Sequence, residues 1–415
     1  MSLLLFGLFL LFVVIGVPIA IAIGASTLAA IHLAGVPHIV VPQQMFSGIN
    51  SFALVAIPMF ILAGDIMAKG QVSERIVAFA DAIFGFLRGG LSIVAVMAGM
   101  FFAAISGSSA ATTAAVGSSL VPELRRKGYE PASAASLIAA SGTIGVVIPP
   151  SVPMIIYAVI AQESISQLFL AGILPGIFMG GALMMIAVVQ GYRRAYPRGT
   201  PFSPLVIWRT FRAAFWGLMT PVIILGGIFS GVFTPSEAAV IAVNYALFVS
   251  LFIYRDLRLR DLYPLLIRSA TTTAVIMFVI AASAALSWAL SRWQVPGQIA
   301  GYVLGLSTDP YLVLLLILLL ILLTGVFIET ASALIILTPI LLPLALQLGI
   351  DAVHFGIIIV VGLAIGMITP PVAINLYVAS SVTGIGLERI AWSVLPYLAA
   401  LIGVLLLVAY VPLML

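Results

Sequence analysis

The sequence predicts an all-α polytopic membrane protein built on an inverted-topology repeat, with two re-entrant helical hairpins and two broken helices. Three observations carry this expectation. Hydrophobic residues fill 63 % of the 415 positions and charged residues only 7 %, so uncharged runs repeatedly exceed the ~20 residues that span a bilayer. The runs show no strict alternation. Backbone groups in hydrocarbon must be satisfied within their own segment, so they are helices and not barrel strands. Finally, "TIGVVIPPSVPMIIYAV" from Thr143 and "AIGMITPPVAINLYVAS" from Ala364 look alike at an offset of 221 positions. The same offset pairs Pro122 with Pro343, Gly128 with Gly349, Glu130 with Asp351, and Pro149 and Pro150 with Pro370 and Pro371. Such agreement of punctuation residues marks an internal repeat.

The elements follow in chain order. Leu3–Leu33 reads as a retained apolar segment, because no basic leader and no small-residue cleavage site precede the next hydrophobic stretch; the number of spans in the first 50 residues stays open. Phe52–Ala68 is the next span. From Ser73, "SERIVAFADAIFGFLRG" places Ile76, Phe79, Ile83 and Leu87 at helical spacing with charge between them, which predicts an amphipathic helix along the cytoplasmic interface. Leu91–Leu124 is flanked by Arg88 on one side and Arg125, Arg126 and Lys127 on the other. By the positive-inside rule both ends are cytoplasmic, so the segment enters and returns, with its apex at "SGSS", Ser106–Ser109. Pro131–Ile160 is a broken span, followed by spans at Leu168–Gln190, Phe215–Ser230, Ser236–Tyr254 and Thr271–Leu290.

From Val295, "VPGQIAGYVLG" matches the amphipathic segment on the opposite interface. Tyr311–Leu346 lies between "LSTDP" and "QLGID", which carry no basic residue, so this second hairpin has both ends on the other face and its apex at "FIET", Phe327–Thr330. Val353–Ser380 is the second broken span, and Ala391–Pro412 closes the chain. The expected division is first-repeat helices and a cytoplasmic arm at 1–88, a first hairpin and broken helix at 89–165, further helices and a second arm at 166–309, a second hairpin and broken helix at 310–385, and a last helix at 386–415.

The charges exclude other classes. The net +4 gathers at loops such as "RRAYPR" (Arg193–Arg198) and "RDLRLRD" (Arg255–Asp261), which serve as topology anchors and predict no nucleic-acid partner. With no cysteine, disulfides and thiolate metal sites are excluded. His32, His38 and His354 form no ligand spacing and read as interfacial residues; Trp208, Trp216, Trp288, Trp293 and Trp392 read as interface anchors.

The breaks carry the chemistry. Irregular backbone survives at membrane depth only where protein encloses it or a polar cavity adjoins it. Pro149 and Pro150 remove two amide donors and free the carbonyls around Gly145–Ile148. Neutral carbonyl and hydroxyl oxygens are the ligand set of a small hard cation such as Na⁺, and the repeat offers the set twice. After each apex and each double proline a new helix begins, and four such N-termini, with free N–H groups and partial positive charge, would hold a carboxylate. No Lys or Arg occupies the middle of an apolar span; Arg268 and Arg292 bracket one at its ends, so the site is expected to work without a buried basic side chain. Ser108, Ser109, Thr112, Ser151, Thr330 and Asn375 are candidates for the remaining hydrogen bonds. Small residues in membrane helices also serve close packing; here hairpin, double proline and duplicate coincide. Of the intramembrane acids, Glu329 at the second apex is a substrate-site candidate. Asp65 stands one turn from Lys69, so an ion pair at the helix end and a role in coupling both fit. Glu237 follows Pro235 in a first helical turn, where the macrodipole accounts for it.

At "SGSSAATTAAVGSSLVPELRRKGY", "GTIGVVIPPS" and "GMITPPVAINLYV", and also at "IPMFILAGDIM" and "GVFTPSEAA", the sequence closely resembles the large membrane subunit (DctM-like) of tripartite ATP-independent periplasmic (TRAP) transporters. The resemblance runs over essentially the whole chain. It implies a Na⁺-driven secondary importer of organic acids, of the sialic acid or C4-dicarboxylate class, that works by an elevator movement in a bacterial or archaeal inner membrane. It implies two partners, a small four-helix membrane subunit and a periplasmic substrate-binding protein, with Na⁺ as coupling ion and no cofactor. Carried over position by position, one sodium site falls on Ser106, Ser109, Gly145, Ile148 and Pro150, and the other on Gly325, Thr330, Gly366 and Thr369. Many relatives fuse the small subunit at the N-terminus; here the sequence starts at the large subunit's first helix, so a separate small protein is expected. The rival reading is a single-component Na⁺/dicarboxylate symporter that needs no binding protein. An intramembrane enzyme using Asp65 and Glu329 lacks any nucleophile motif, and a passive channel fits poorly with occluded hairpins.

Overall fold

The computed structural model describes residues 2–199, 201–306 and 309–411. Helices α1 (Ser2–Val14) and α2 (Ile19–Leu33) divide the opening apolar stretch. Gly16 takes a left-handed turn at φ +85°, and Pro18 has no N–H with which to continue the ladder. Leu3–Leu33 is thus two packed helices of 13 and 15 residues, each roughly 20 Å long and short of the ~30 Å hydrocarbon core. After α3 (Val40–Ile49), a 3-10 turn at Phe52–Val55 leads into α4 (Ala56–Lys69). The amphipathic segment forms α5 (Val72–Phe84), which buries Ile76 and Ala80 and leaves Glu74 exposed.

Next come α6 (Gly90–Ser106), α7 (Ser109–Arg126), α8 (Pro131–Thr143), α9 (Val152–Ala161) and α10 (Ile165–Arg193). They are followed by α11 (Pro204–Phe229), α12 (Pro235–Phe248) and α13 (Leu259–Arg292). Two of these run longer than the sequence suggested. α11 starts before Phe215 and α13 before Thr271, because the polar residues in their opening stretches do not interrupt a helix that leaves the apolar zone. A capping box between Thr234 and Glu237 starts α12, in keeping with a structural place for that acid. The chain continues with α14 (Val295–Leu306), α15 (Pro310–Phe327), α16 (Thr330–Gln347), α17 (Ala352–Gly366), α18 (Ile374–Thr383) and α19 (Leu387–Tyr410). Among the described residues, eight helical segments are long and apolar enough to cross a membrane.

The repeat is plain in the backbone. α7 and α16 have the same length at the 221-residue offset, and α6, α8, α9 and α10 correspond to α15, α17, α18 and α19. Gly128 and Gly349 turn with φ +76° and +77°, and both double prolines are joined by a cis bond. Equivalent carboxylates cap the following helices. Glu130 accepts from the Ala132 and Ser133 amides, and Asp351 from those of Val353 and His354.

The ends of the two hairpins lie at opposite ends of the helix bundle. Gly89 and Glu130, at the ends of the first hairpin, both meet the segment after α10, through Pro197 O and Arg194. The same face gathers the other basic loops: Gln71 N–H donates to Asp256 Oδ2, and the Arg75 guanidinium lies 4.1 Å from the Tyr254 ring centre. The second hairpin's ends lie at the far end of α19, where Tyr410 donates to Tyr311 O and His354 bonds Val408 O. His354 is therefore buried and bonded, a core residue and not the interfacial one expected, because it caps the packing of α17 on α19. The halves also exchange partners. α7 packs on α8 and on α18 of the other half, while α16 packs on α17 and on α9. At the centre, every residue of α8 after Pro131 and every residue of α17 except Val353 is buried.

Candidate functional site

Gly107 closes the first hairpin with φ +59°, a left-handed position that glycine occupies at least cost. Ser108 then caps α7 by accepting from Ala111 N–H. Ser106, 4 % exposed, donates to Thr112 Oγ1 at 2.8 Å, and Thr112 donates to Ser108 O at 2.8 Å. Gly145 of the break abuts this knot: a Cβ there would stand 2.6 Å from Ser108 O. A helical ladder would bond the carbonyls of Gly145 and Val146 to the amides of residues 149 and 150, which are prolines. Val146 O accepts the Ser151 hydroxyl instead, at 2.6 Å. Ser151 also caps α9 through Met154 N–H. Pro150 O faces the Gly107 turn, and Val152 N–H reaches Gly107 O. The structure thus brings Ser106, Thr112, Gly145, Pro150 and Ser151 together at the first apex. Ile148 instead turns to α10, against Gly176.

The second apex repeats the plan with different chemistry. Ile328 is extended, and Glu329 caps α16 through Ala331 N–H. Gly325 and Gly366 meet backbone to backbone. Thr330, fully buried, sets its hydroxyl 3.0 Å from Met367 Sδ. Thr369 donates its hydroxyl to Ile365 O, while its N–H donates to Gly366 O. Met367 O, which has lost Pro371 as a donor, accepts Asn375 N–H. Ala373 N–H bonds Val326 O, as Val152 bonds Gly107 in the other half.

One side chain ties the halves together. Asn375 of α18, fully buried, donates from Nδ2 to Ser109 Oγ at 2.7 Å and to Ala139 O at 3.3 Å. The Ser109 hydroxyl in turn donates to Gly142 O at 2.9 Å. Asn375 Oδ1 is buried and has no partner among the described residues.

All four interrupted N-termini reach one cavity of about 610 Å³. Ser108 and Ser109 line it from α7, Val152 and Pro153 from α9, Glu329 and Ala331 from α16, and Ile374 from α18. The opposite wall is α4, with Gly64 and Asp65, and α13, with Arg268, Thr271 and Thr272. Of the substrate-site candidates, Ser108 and Glu329 line the cavity, whereas Thr112, Ser151 and Asn375 are buried behind its wall. Of the sodium-site candidates, Ser106 and Ser109 line it.

One expectation is corrected at the cavity and another qualified. Asp65 does not pair with Lys69; Ser269 donates to its Oδ2 at 2.7 Å, and Arg268 Nε stands 3.9 Å from Oδ1. A basic side chain does border the site, though not a buried one: α13 begins at Leu259 and places the exposed Arg268 at the cavity wall. The signal that would have found it is the run of helix-compatible residues upstream of Thr271. His32 Nδ1 and His38 Nε2 are 2.7 Å apart, yet no group of three or more His, Cys, Asp or Glu among the described residues is arranged to hold a metal ion.

An all-helical bundle whose paired breaks aim four N-termini into one internal cavity defines a polytopic membrane permease. Comparison with known proteins agrees. The family model described as the DctM component of the tripartite ATP-independent periplasmic transporter matches residues 6–414. The isethionate TRAP transporter permease protein DctMQ of Oleidesulfovibrio alaskensis is 44 % identical, over 98 % of this chain. The chain spans 65 % of that relative's length. The C4-dicarboxylate TRAP transporter large permease protein of Pseudomonas aeruginosa is 43 % identical, over 89 % of this chain and 86 % of the relative. The sialic acid TRAP transporter large permease protein of Vibrio cholerae is 40 % identical, over 89 % and 87 %. The YdaH transporter of Alcanivorax borkumensis shares the fold, with a TM-score of 0.60, 14 % identity and coverage of 89 % and 86 %. The chain belongs to the DctM family of TRAP transporter permeases. It is an inner-membrane transport component and not an enzyme.

Proposed function

We propose that this chain is the large permease subunit of a Na⁺-coupled importer that moves an organic acid, delivered by a periplasmic binding protein, with a small membrane subunit as its second partner. The observation that carries the reading is the convergence of four helix N-termini on one cavity. Each terminus carries about half a positive charge, a setting that favours a carboxylate or sulfonate; at α9 that charge acts without a free amide, because Val152 N–H reaches Gly107 O, residue 153 is a proline and Ser151 caps Met154 N–H. Relatives named for isethionate, C4-dicarboxylate and sialic acid all point to acidic substrates.

Na⁺ binds at the two breaks, where prolines strip carbonyls of their helical partners. One site uses Ser106, Ser109, Gly145, Ile148 and Pro150; the other uses Gly325, Thr330, Gly366 and Thr369. Ser108 and Glu329 contact the substrate from the cavity wall, with Thr112, Ser151 and Asn375 completing the shell behind them. Ion binding orders the apices and so assembles the acid site, which couples the two by linkage. Residues 89–165 and 310–385 move as one body against α4, α13 and the remaining scaffold, with α5 and α14 as connecting arms. The basic face is cytoplasmic, so the first hairpin re-enters from the cytoplasm and the second from the periplasm.

The test is uptake of labelled organic acids into proteoliposomes that hold this chain and its small membrane partner, with and without a Na⁺ gradient and the soluble binding protein. Uptake that requires both is the expected result. Uptake that needs the gradient but ignores the soluble protein moves the chain to the single-component symporters. Uptake indifferent to Na⁺ refutes the coupling.

A further inference from the structure

Among the residues lining the cavity there is one cation, Arg268, and two carboxylates, Asp65 and Glu329. The arginine comes from α13, outside the four N-termini, and faces them across the cavity. Its side chain is 73 % exposed, whereas that of Asp65 is 15 % exposed. Asp65 is anchored by the short bond from Ser269, but its hold on Arg268 is loose: Nε stands 3.9 Å from Oδ1, beyond hydrogen-bond distance. The two terminal guanidinium nitrogens, the pair that grips a carboxylate or sulfonate side-on, have no hydrogen-bond partner among the described residues. Gly64, next to Asp65, lies directly on the first apex, since a Cβ there would stand 3.1 Å from Ser106 Cα. The charged pair is thus beside the hairpin turn that opens α7.

Resting on the reading of this cavity as the organic-acid site, we propose that Arg268 is the scaffold-side anchor for the acidic group of the substrate. Asp65 holds the guanidinium in register when the cavity is empty and yields it to the incoming acid. The four N-termini belong to the body that moves, and Arg268 belongs to the body that stays. The acid is therefore shared between the two in the arrangement seen here, and the arginine contact is lost when the moving body leaves. Arg268 then sets affinity on one side of the transport cycle, and it does so for any carboxylate or sulfonate, while the rest of the cavity selects the carbon skeleton.

Two measurements test this. The first needs no transport: the full chain, with its membrane partner, is treated with an arginine-directed dicarbonyl reagent, and modification of Arg268 is followed by peptide mass spectrometry. Succinate, isethionate and N-acetylneuraminate are tested as protectants, with a neutral polyol as control. At least one acid is expected to slow modification of Arg268 several-fold while leaving the outlying Arg209 unchanged; an Arg268 rate indifferent to all three acids overturns the proposal, whatever the uptake assay gives. The second compares uptake by wild type, Arg268→Gln, Arg268→Lys and Asp65→Asn. Loss of a charge-assisted bidentate contact raises KM by roughly ten- to a hundredfold. Arg268→Gln is expected to show that rise with an unchanged half-activating Na⁺ concentration, Arg268→Lys a smaller rise, and Asp65→Asn a lowered KM, because the incoming acid no longer displaces a resident carboxylate. An unchanged KM in Arg268→Gln, or an equal rise in Asp65→Asn, overturns it. Loss of Na⁺ dependence in the wild type instead refutes the coupling reading, and leaves the protection result to decide the role of Arg268.

Discussion

The crossing of α15 and α17 at Gly325 and Gly366 offers a measurable link between packing and ion binding. A Cβ placed on Gly366 would stand 2.5 Å from Gly325 Cα and 2.6 Å from its carbonyl carbon. Non-bonded carbons rest at about 3.5–4.0 Å, so Gly366→Ala forces the two helices apart by roughly 1 Å. Both sides of the contact are backbone, and no rotamer change can relieve it. Overpacking of this kind costs about 1–3 kcal/mol, spread between lost stability and a displaced second apex. The displacement acts where Thr330 meets Met367, 3.0 Å apart, and where Gly366 O is held by Thr369 N–H. Hard cations tolerate only a few tenths of an ångström in their oxygen distances. The expected result in proteoliposomes is a half-activating Na⁺ concentration raised about tenfold, equivalent to ~1.4 kcal/mol, with substrate KM rising only through the coupling. Gly181→Ala is the control, because nothing stands within 4 Å of a Cβ there. Wild-type Na⁺ activation in a stably folded Gly366→Ala protein would refute both the crossing and the sodium assignment built on it.

Gly64 tests the sliding surface. A Cβ there would stand 3.1 Å from Ser106 Cα, so Gly64→Leu is expected to lower the maximal uptake rate at least tenfold at an overpacking cost of about 1–3 kcal/mol; normal uptake rules out α4 as the surface along which the first apex moves. Glu130 gives a pH signature. Burial raises its carboxyl pKa, but the Arg194 bond and the Ser133 and Ala132 amides outweigh that and hold it below 4.5. A carboxyl lowered on folding stabilises the protein above its ordinary value, and that gain is lost as pH falls through the depressed one. Glu130 and Arg194 are 46 % and 41 % exposed, so solvent screening limits the pair, and Glu130→Gln is expected to cost no more than about 1 kcal/mol at neutral pH. Thermal unfolding of both proteins across acid pH checks it, and a gap that fails to narrow on acidification counts against the ion pair and cap.

The sequence disclosed the repeat because its punctuation is chemical. Glycine turns, double prolines and acid caps have few substitutes, so Gly128 and Gly349 or Glu130 and Asp351 announce themselves without an alignment. Both apices were legible for the same reason. What failed was anything that depends on a helix continuing past the bilayer. The opening stretches of α11 and α13 carry arginines, Arg209 and Arg212 in one and Arg260 and Arg268 in the other, which hydropathy reads as loop, and so Arg268 was assigned to a span's edge when it lines the cavity. The opening apolar stretch hid its turn because Gly16 and Pro18 stand in a run that is otherwise long enough for one span. Pairing across the fold was out of reach. Asp65 finds Ser269 and Arg268, and His354 finds α19, through contacts that no local spacing encodes.

The exchange of partners between the halves bears on coupling. If each hairpin packed only on its own broken helix, ion binding at one site would leave the other untouched. Instead α7 lies on α18 and α16 on α9, so each apex rests on the second part of the opposite broken helix. Asn375 makes the exchange chemical: its backbone N–H closes the second break on Met367 O, while its side chain reaches Ser109 at the first apex. A shift of the first apex that moves Ser109 therefore pulls on the start of α18, and α18 begins at the cavity. Its unpartnered Oδ1 keeps one strong acceptor in reserve at that junction, and a buried acceptor left unpaired costs about 1–3 kcal/mol. A rearrangement that supplies it with a donor or a cation would recover part of that cost, which gives the two breaks an energetic reason to change together.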